Sequence, residues 1–138
     1  MTAMTAYSEH IGVTIERPVE VVYAFAADPS NLPRWAAGLS AAIAEDSDGR
    51  WIADSPMGKV VVEFAPRNAY GVLDHIVTLE SGERVDNPVR VVANDGGSDV
   101  VFTVRKHSGM SHDDFARDVA AVRADLEKLK QLLEDGIA

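Results

Sequence analysis

A chain of 138 residues, 46% apolar and 25% charged, is long enough for one domain that buries roughly two-thirds of the surface its unfolded form exposes. Its net charge of −9 repels phosphate backbones and acidic membrane surfaces. The one basic cluster, Arg105-Lys106-His107, has no glycine-rich loop or aromatic platform beside it, so no nucleic acid is expected as a partner.

The absence of cysteine excludes disulfides and thiolate zinc sites and fits a cytoplasmic protein. No apolar run approaches the roughly 20 residues needed to cross a bilayer, so no membrane insertion is expected. The opening residues, MTAMTAYSEH, have neither the basic start nor the apolar core of a secretion signal. Residues 1–8 read as a flexible N-terminus to a single domain over 1–138.

From His10 to Glu16, Ile11, Val13 and Ile15 alternate with Gly12 and Thr14, the period of two that makes a strand. The period then changes. Pro18 suits the first position of a helix, where its missing N–H costs nothing, and Val21, Val22, Phe25 and Ala26 follow at helical spacing. Asp28-Pro29 ends that helix, because the residue before proline is pushed out of the α region. Asp28 can cap a second short helix, which Pro33 keeps irregular. Two short helices therefore meet at a proline-fixed corner.

Six strands follow. Leu39–Glu45 is a weak one, a turn at SDGR leads to Arg50–Ser55, and PMG turns the chain into the β-branched run Lys59–Ala65. Gly71–Glu80, Arg84–Asn94 and Asp99–Lys106 are separated by turns at Ser81-Gly82 and Asp95-Gly96-Gly97, the spacing of an antiparallel meander. Pro88 places an edge or a bulge inside the fifth. Ser111 and Asp114 then resemble a capping box, and Gly136 sits where a helix would stop. Between them Phe115, Val119, Val122, Leu126, Leu129 and Leu133 form one apolar stripe, with Arg117, Asp118, Asp125, Lys128 and Glu134 on a face expected to be solvated. A coiled-coil dimer could use that stripe, but the exposed face of the sheet needs it more.

The run from Ile15 to Trp35, IERPVEVVYAFAADPSNLPRW, the order of elements and the amphipathic last helix resemble the START/Bet v 1-like superfamily, whose bacterial members include polyketide cyclase/dehydrase-like SRPBCC proteins. LDH (Leu73–His75), NPVRVV (Asn87–Val92), SDVVFTV (Ser98–Val104) and GMSHDDFARD (Gly109–Asp118) resemble a group of small bacterial members. The resemblance implies an α+β helix-grip fold of order β-α-α-β6-α: a seven-stranded curved antiparallel sheet wrapped around a long C-terminal helix. It also implies an internal cavity for lipids, hormones, polyketides or other apolar molecules, gated here by the two short helices. Fold alone does not fix the activity.

No established catalytic or cofactor motif is present, so no cofactor and no metal are expected. His112-Asp113-Asp114 is the tightest metal-like group, but acids in a first helical turn complement the helix dipole anyway. In VLDHIVTL, Leu73, His75, Val77 and Leu79 share one strand face. If that face lines the cavity, His75 is an ionisable group in an apolar pocket, able to orient a ligand or act as acid or base; otherwise it is a hydrogen-bonded wall residue. Arg90, among Val89, Val91 and Val92, either pairs with Glu63 or Asp74 as a polar floor beside His75 or faces water. Tyr23, Phe25, Trp35, Trp51, Met57, Phe64 and Phe102 are the large side chains available to shape a cavity, with Trp35 near its mouth.

The candidate ligand-binding set is thus Phe25, Trp35, Trp51, Phe64, His75, Arg90, Phe102, Phe115, Val119 and Val122. The leading expectation is binding of a hydrophobic small molecule by a monomer or homodimer. One alternative is a cofactor-independent polyketide cyclase, aromatase or dehydratase with His75 as acid/base; another is a protein-interaction or co-chaperone-like module.

Overall fold

A computed structural model describes residues 5–39, 42–56 and 58–136. Strand β1 (Tyr7–Ile15) begins earlier than its alternating pattern suggests: Tyr7 and Ser8, expected in a flexible N-terminus, pair with Lys106 and Arg105. Helix α1 (Val19–Ala26) follows Pro18, which stands just outside it and offers its carbonyl to the Val21 and Val22 N–H groups. The corner then forms as its side chains dictate. Asp28 Oδ1 accepts from the Ser30 N–H at 3.0 Å and from its hydroxyl at 2.7 Å, and the Asn31 amide donates to Phe25 O at 3.1 Å. A 3-10 turn (Pro29–Asn31), the four-residue α2 (Leu32–Trp35) and a second 3-10 turn (Ala37–Leu39) complete it.

The expected strand from Leu39 to Glu45 is reduced to β2 (Ile43–Glu45), with Ser40 and Ala41 outside the described residues. Then come β3 (Trp51–Ser55), β4 (Gly58–Phe64), β5 (His75–Thr78), β6 (Arg84–Asn87), β7 (Val89–Asn94), β8 (Gly97–Lys106) and α3 (His112–Glu134). All pairings are antiparallel, in the orders β2-β3-β4-β5-β6 and β1-β8-β7.

Eight strands stand among the described residues where seven were expected, and Pro88 is the reason. It has no N–H to give to a ladder, so the chain bends there: Asn87 faces His75 of one sheet and Val89 faces Phe102 of the other. The broken strand β6–β7 joins the two sheets into one folded surface. The neighbouring strand breaks at the same level. Gly71 and Leu73 bond to Val91 and Val89, β5 starts only at His75, and Asp74 between them accepts the Val89 N–H at 2.9 Å. Gly71 holds a left-handed φ of 71°, and a Cβ there would lie 2.2 Å from the Val91 carbonyl oxygen, so only glycine fits.

Helix α3 lies across the inner face for about 35 Å at 1.5 Å per residue. Ser111 Oγ accepts the Asp114 N–H at 3.0 Å to start it. Its far end is pinned to the end of β1: Arg17 donates to Leu133 O at 2.6 Å, Lys130 to Thr14 O at 2.6 Å, and the Glu16 N–H to Glu134 at 2.8 Å. Along the apolar stripe Leu126, Leu129 and Leu133 are completely buried, together with Ile15 and Val22. Val119 and Val122 are only half-buried. The helix is therefore packed tightly at its C-terminal end and stands off the sheet in its middle.

Candidate functional site

Where α3 stands off, a cavity of about 360 Å³ opens between helix, sheet and corner. Leu32, Trp35 and Ala36 of the corner form one side, Val60 and Val62 of β4 with Val77 of β5 the floor, and Phe102 of β8 with Val122 of α3 the far wall. Strand alternation produces this lining, because residues two apart on β4 and β5 turn the same apolar face inward. Gly38, Ser55 and Pro56 edge it, while His75, Asn87 and Asp125 supply its remaining polar groups.

His75 is wedged between two rings, 5.0 Å from Phe64 and edge-on at 5.9 Å to Phe102. Its Nδ1 lies 3.1 Å from Leu73 O, which assigns the proton to Nδ1 and leaves Nε2 as an acceptor 3.4 Å from the Asn87 amide nitrogen. Burial pushes its pKa below the usual histidine value, against the opposing pull of the Leu73 carbonyl and Asp74. A neutral imidazole with a basic nitrogen thus sits against the cavity.

Asp125 corrects an expectation. The sequence pattern puts it on the solvated face of α3, yet it is half-buried and lines the cavity. Its Oδ1 accepts the Ala37 N–H at 3.1 Å, tying helix to corner. Burial raises its pKa above the usual aspartate value, and the Ala37 N–H opposes that shift.

The other candidates are dispersed. Trp35, His75, Phe102 and Val122 line the cavity together. Phe64 lines a neighbouring depression of about 410 Å³ that shares His75 and Asn87 with it. Phe25 is core, with the Arg34 guanidinium 5.1 Å above its ring, and half-buried Trp51 packs against the core from β3; neither lines the cavity. Phe115 and Val119 border a separate groove with Tyr7 and Lys106. Met57 lies outside the described residues.

Arg90 faces water. It makes a two-pronged ion pair with Asp74 at 2.9 and 2.8 Å on the outer surface, its side chain 53% exposed. The alternation that turns Val89 and Val91 inward turns Arg90 out, so no polar floor of arginine forms beside His75, and Glu63 is likewise exposed. Arg90 holds the Asp74 carboxyl below the usual aspartate value. Asn87, which sequence reasoning missed, was accessible in principle: the hairpin at Ser81-Gly82 sets it opposite His75. Among the described residues no group of three or more His, Asp or Glu side chains could hold a metal ion.

A curved antiparallel sheet gripping one long helix, with a hollow between them, defines the helix-grip class of the START/Bet v 1-like superfamily. Within it, residues 5–134 match the family described as polyketide cyclase / dehydrase and lipid transport, and the chain belongs to that family. No curated protein sequence matches the chain. Among solved structures, DynU16 of the dynemicin biosynthetic locus is similar at a TM-score of 0.70 and 17% identity, over 94% of this chain and 48% of DynU16. The chain therefore spans about half the length of DynU16. Protein MLL2253 from Mesorhizobium loti is similar at a TM-score of 0.72 and 13% identity, covering 94% of this chain and 98% of that one. Ara h 8.0201 is similar at 0.68 and 17% identity, covering 91% and 96%. At such identities the likeness is one of fold. No helix among the described residues is long and apolar enough to cross a membrane.

Proposed function

We propose that the protein binds a hydrophobic small molecule, lipid- or polyketide-like, between the sheet and α3. One observation carries this reading: the cavity of about 360 Å³ lies where the apolar stripe of α3 leaves the sheet, and valine, leucine, tryptophan and phenylalanine make up half of its lining, with Ala36 and Pro56 adding further apolar surface. Trp35, on the proline-built corner, forms one side of the wall. Replacing Val62 by tryptophan fills the space from a rigid strand. The native protein should bind 1-methylnaphthalene, read by Trp35 fluorescence or native mass spectrometry, and Val62→Trp should abolish binding while keeping native circular dichroism. A folded Val62→Trp protein that still binds would overturn the assignment of the site.

A second reading draws on His75. A neutral imidazole whose Nε2 accepts hydrogen bonds at the cavity wall suits proton abstraction next to a carbonyl, the step that a cyclase, aromatase or dehydratase acting on a polyketide needs. DynU16 belongs to a biosynthetic locus, which favours the same direction without naming a substrate. His75→Asn should then remove turnover of a poly-β-keto thioester and leave binding of 1-methylnaphthalene intact; equal turnover by both proteins would remove His75 as the base.

A further inference from the structure

We propose that the cavity selects apolar molecules carrying a protonated amine, with Asp125 as the charge partner of that amine. The inference rests on the cavity reading above and adds the class of ligand.

Of the described residues that line the cavity, only His75 and Asp125 titrate, and none is lysine or arginine. Asp125 has no ion pair of its own among the described residues. Other acids of the chain differ: Asp46, Asp48, Asp54, Asp74, Asp114 and Glu134 each face a cation. A half-buried carboxylate without a counter-ion is costly, because it has given up water and gained one hydrogen bond. That single bond, from the Ala37 N–H, occupies Oδ1. A carboxylate offers about four lone-pair sites, so Oδ2 and the second lone pair of Oδ1 remain for a ligand.

Position adds to this. The bond to Ala37 holds the carboxylate against the corner, two residues along the chain from Trp35, so a carboxylate and an indole border the same end of the hollow. That pairing suits an ammonium group, which gains from both. His75 is neutral and Asn87 uncharged, so no described lining residue compensates a ligand carboxylate, and the overall charge of −9 favours the approach of cations over anions. An adjoining hollow of about 500 Å³ differs: it carries Glu83, Asp114 and Asp118, but Arg105 and Arg117 line it too and Arg117 pairs with Asp114.

The test uses three probes of matched shape: 1-naphthylmethylamine as cation, 1-naphthoate as anion and 1-methylnaphthalene as neutral body, titrated against the whole protein at neutral pH. The amine should bind at least about tenfold more tightly than the anion, a difference of about 1.4 kcal/mol. Asp125→Asn, which keeps an acceptor for the Ala37 N–H, should bring the two within about twofold, the range expected once a charge-assisted bond is gone. In the native protein the carboxyl carbon of Asp125 should shift in NMR on adding the amine and stay put with 1-methylnaphthalene, a readout that does not depend on the variant folding. If the neutral probe binds but amine and anion bind equally, or Asp125→Asn keeps the preference, the charge assignment is overturned and the cavity stands. If none of the three binds, the cavity reading itself fails and this inference with it.

Discussion

The two halves of α3 do different work. From Leu126 to Leu133 the helix is sealed beside β1, three leucines are out of water, and Arg17, Lys130 and Glu134 lock its end to the chain leaving β1. One turn earlier, Val122 is half-exposed over a hollow and Asp125 hangs from the corner by one hydrogen bond. Tight packing is concentrated at the C-terminal end of the element and binding space at its middle. A single helix can supply both because burial is decided by what faces it, not by its own stripe, which runs on without a break.

The largest effect should come from the sealed half. Leu129→Ala should cost about 2–5 kcal/mol in urea unfolding, the range for leucines lost from tight cores. Val122→Ala, over the hollow, should cost well under half of that. Equal losses would mean that the helix is packed uniformly. Gly71→Ala tests the fold line in the sheet. The left-handed backbone and the 2.2 Å approach of Val91 O should make it lose about 1–3 kcal/mol or more. A neutral Gly71→Ala would show that the sheet does not need its break.

A smaller effect is tied to pH. Since the folded state holds the His75 pKa below 6.5, the unfolded chain binds protons more readily. The stability owed to a neutral His75 is complete above pH 6.5 and is lost as pH falls from there through the folded-state value, with a slope of at most about 1.4 kcal/mol per pH unit. His75→Asn should flatten that part of a stability profile, and an unchanged slope would count against a buried neutral ring.

Changes at the corner should be smaller still. The Trp35 indole N–H is buried without a hydrogen-bond partner among the described residues. Trp35→Phe therefore removes no bond and should shift stability by less than about 1.5 kcal/mol, while altering probe affinity. Asp125→Asn should slightly raise stability at neutral pH. With its folded pKa above 3.8, Asp125 favours the fold while protonated, and that contribution is lost as pH rises through the raised value. Native and variant should converge in acid, as parallel melts across pH would show.

Much of this contrast was readable in the chain because it depends on near neighbours. Pro18, Asp28-Pro29 and Pro33 act within a few residues of themselves, and so do Ser111 and the stripe of α3. Pro88 was legible as a break but not as a passage between two sheets, since that depends on β8 and β5, far away in sequence. The sequence allows Arg90 either the pocket or water, and in the structure it pairs with Asp74 on the outer face. Asp125 stands next to Leu126 at the margin of the stripe, where only the covering element decides between solvent and interior. Ala37, 88 residues away, is that cover.

The central claim is most directly tested by two-dimensional NMR of the whole protein titrated with 1-methylnaphthalene. Shifts should gather on Trp35, Val62, Val77, Phe102 and Val122 and leave Leu126 to Leu133 unmoved. Shifts confined to Tyr7, Phe115 and Val119, or none up to the solubility limit of the probe, would contradict it.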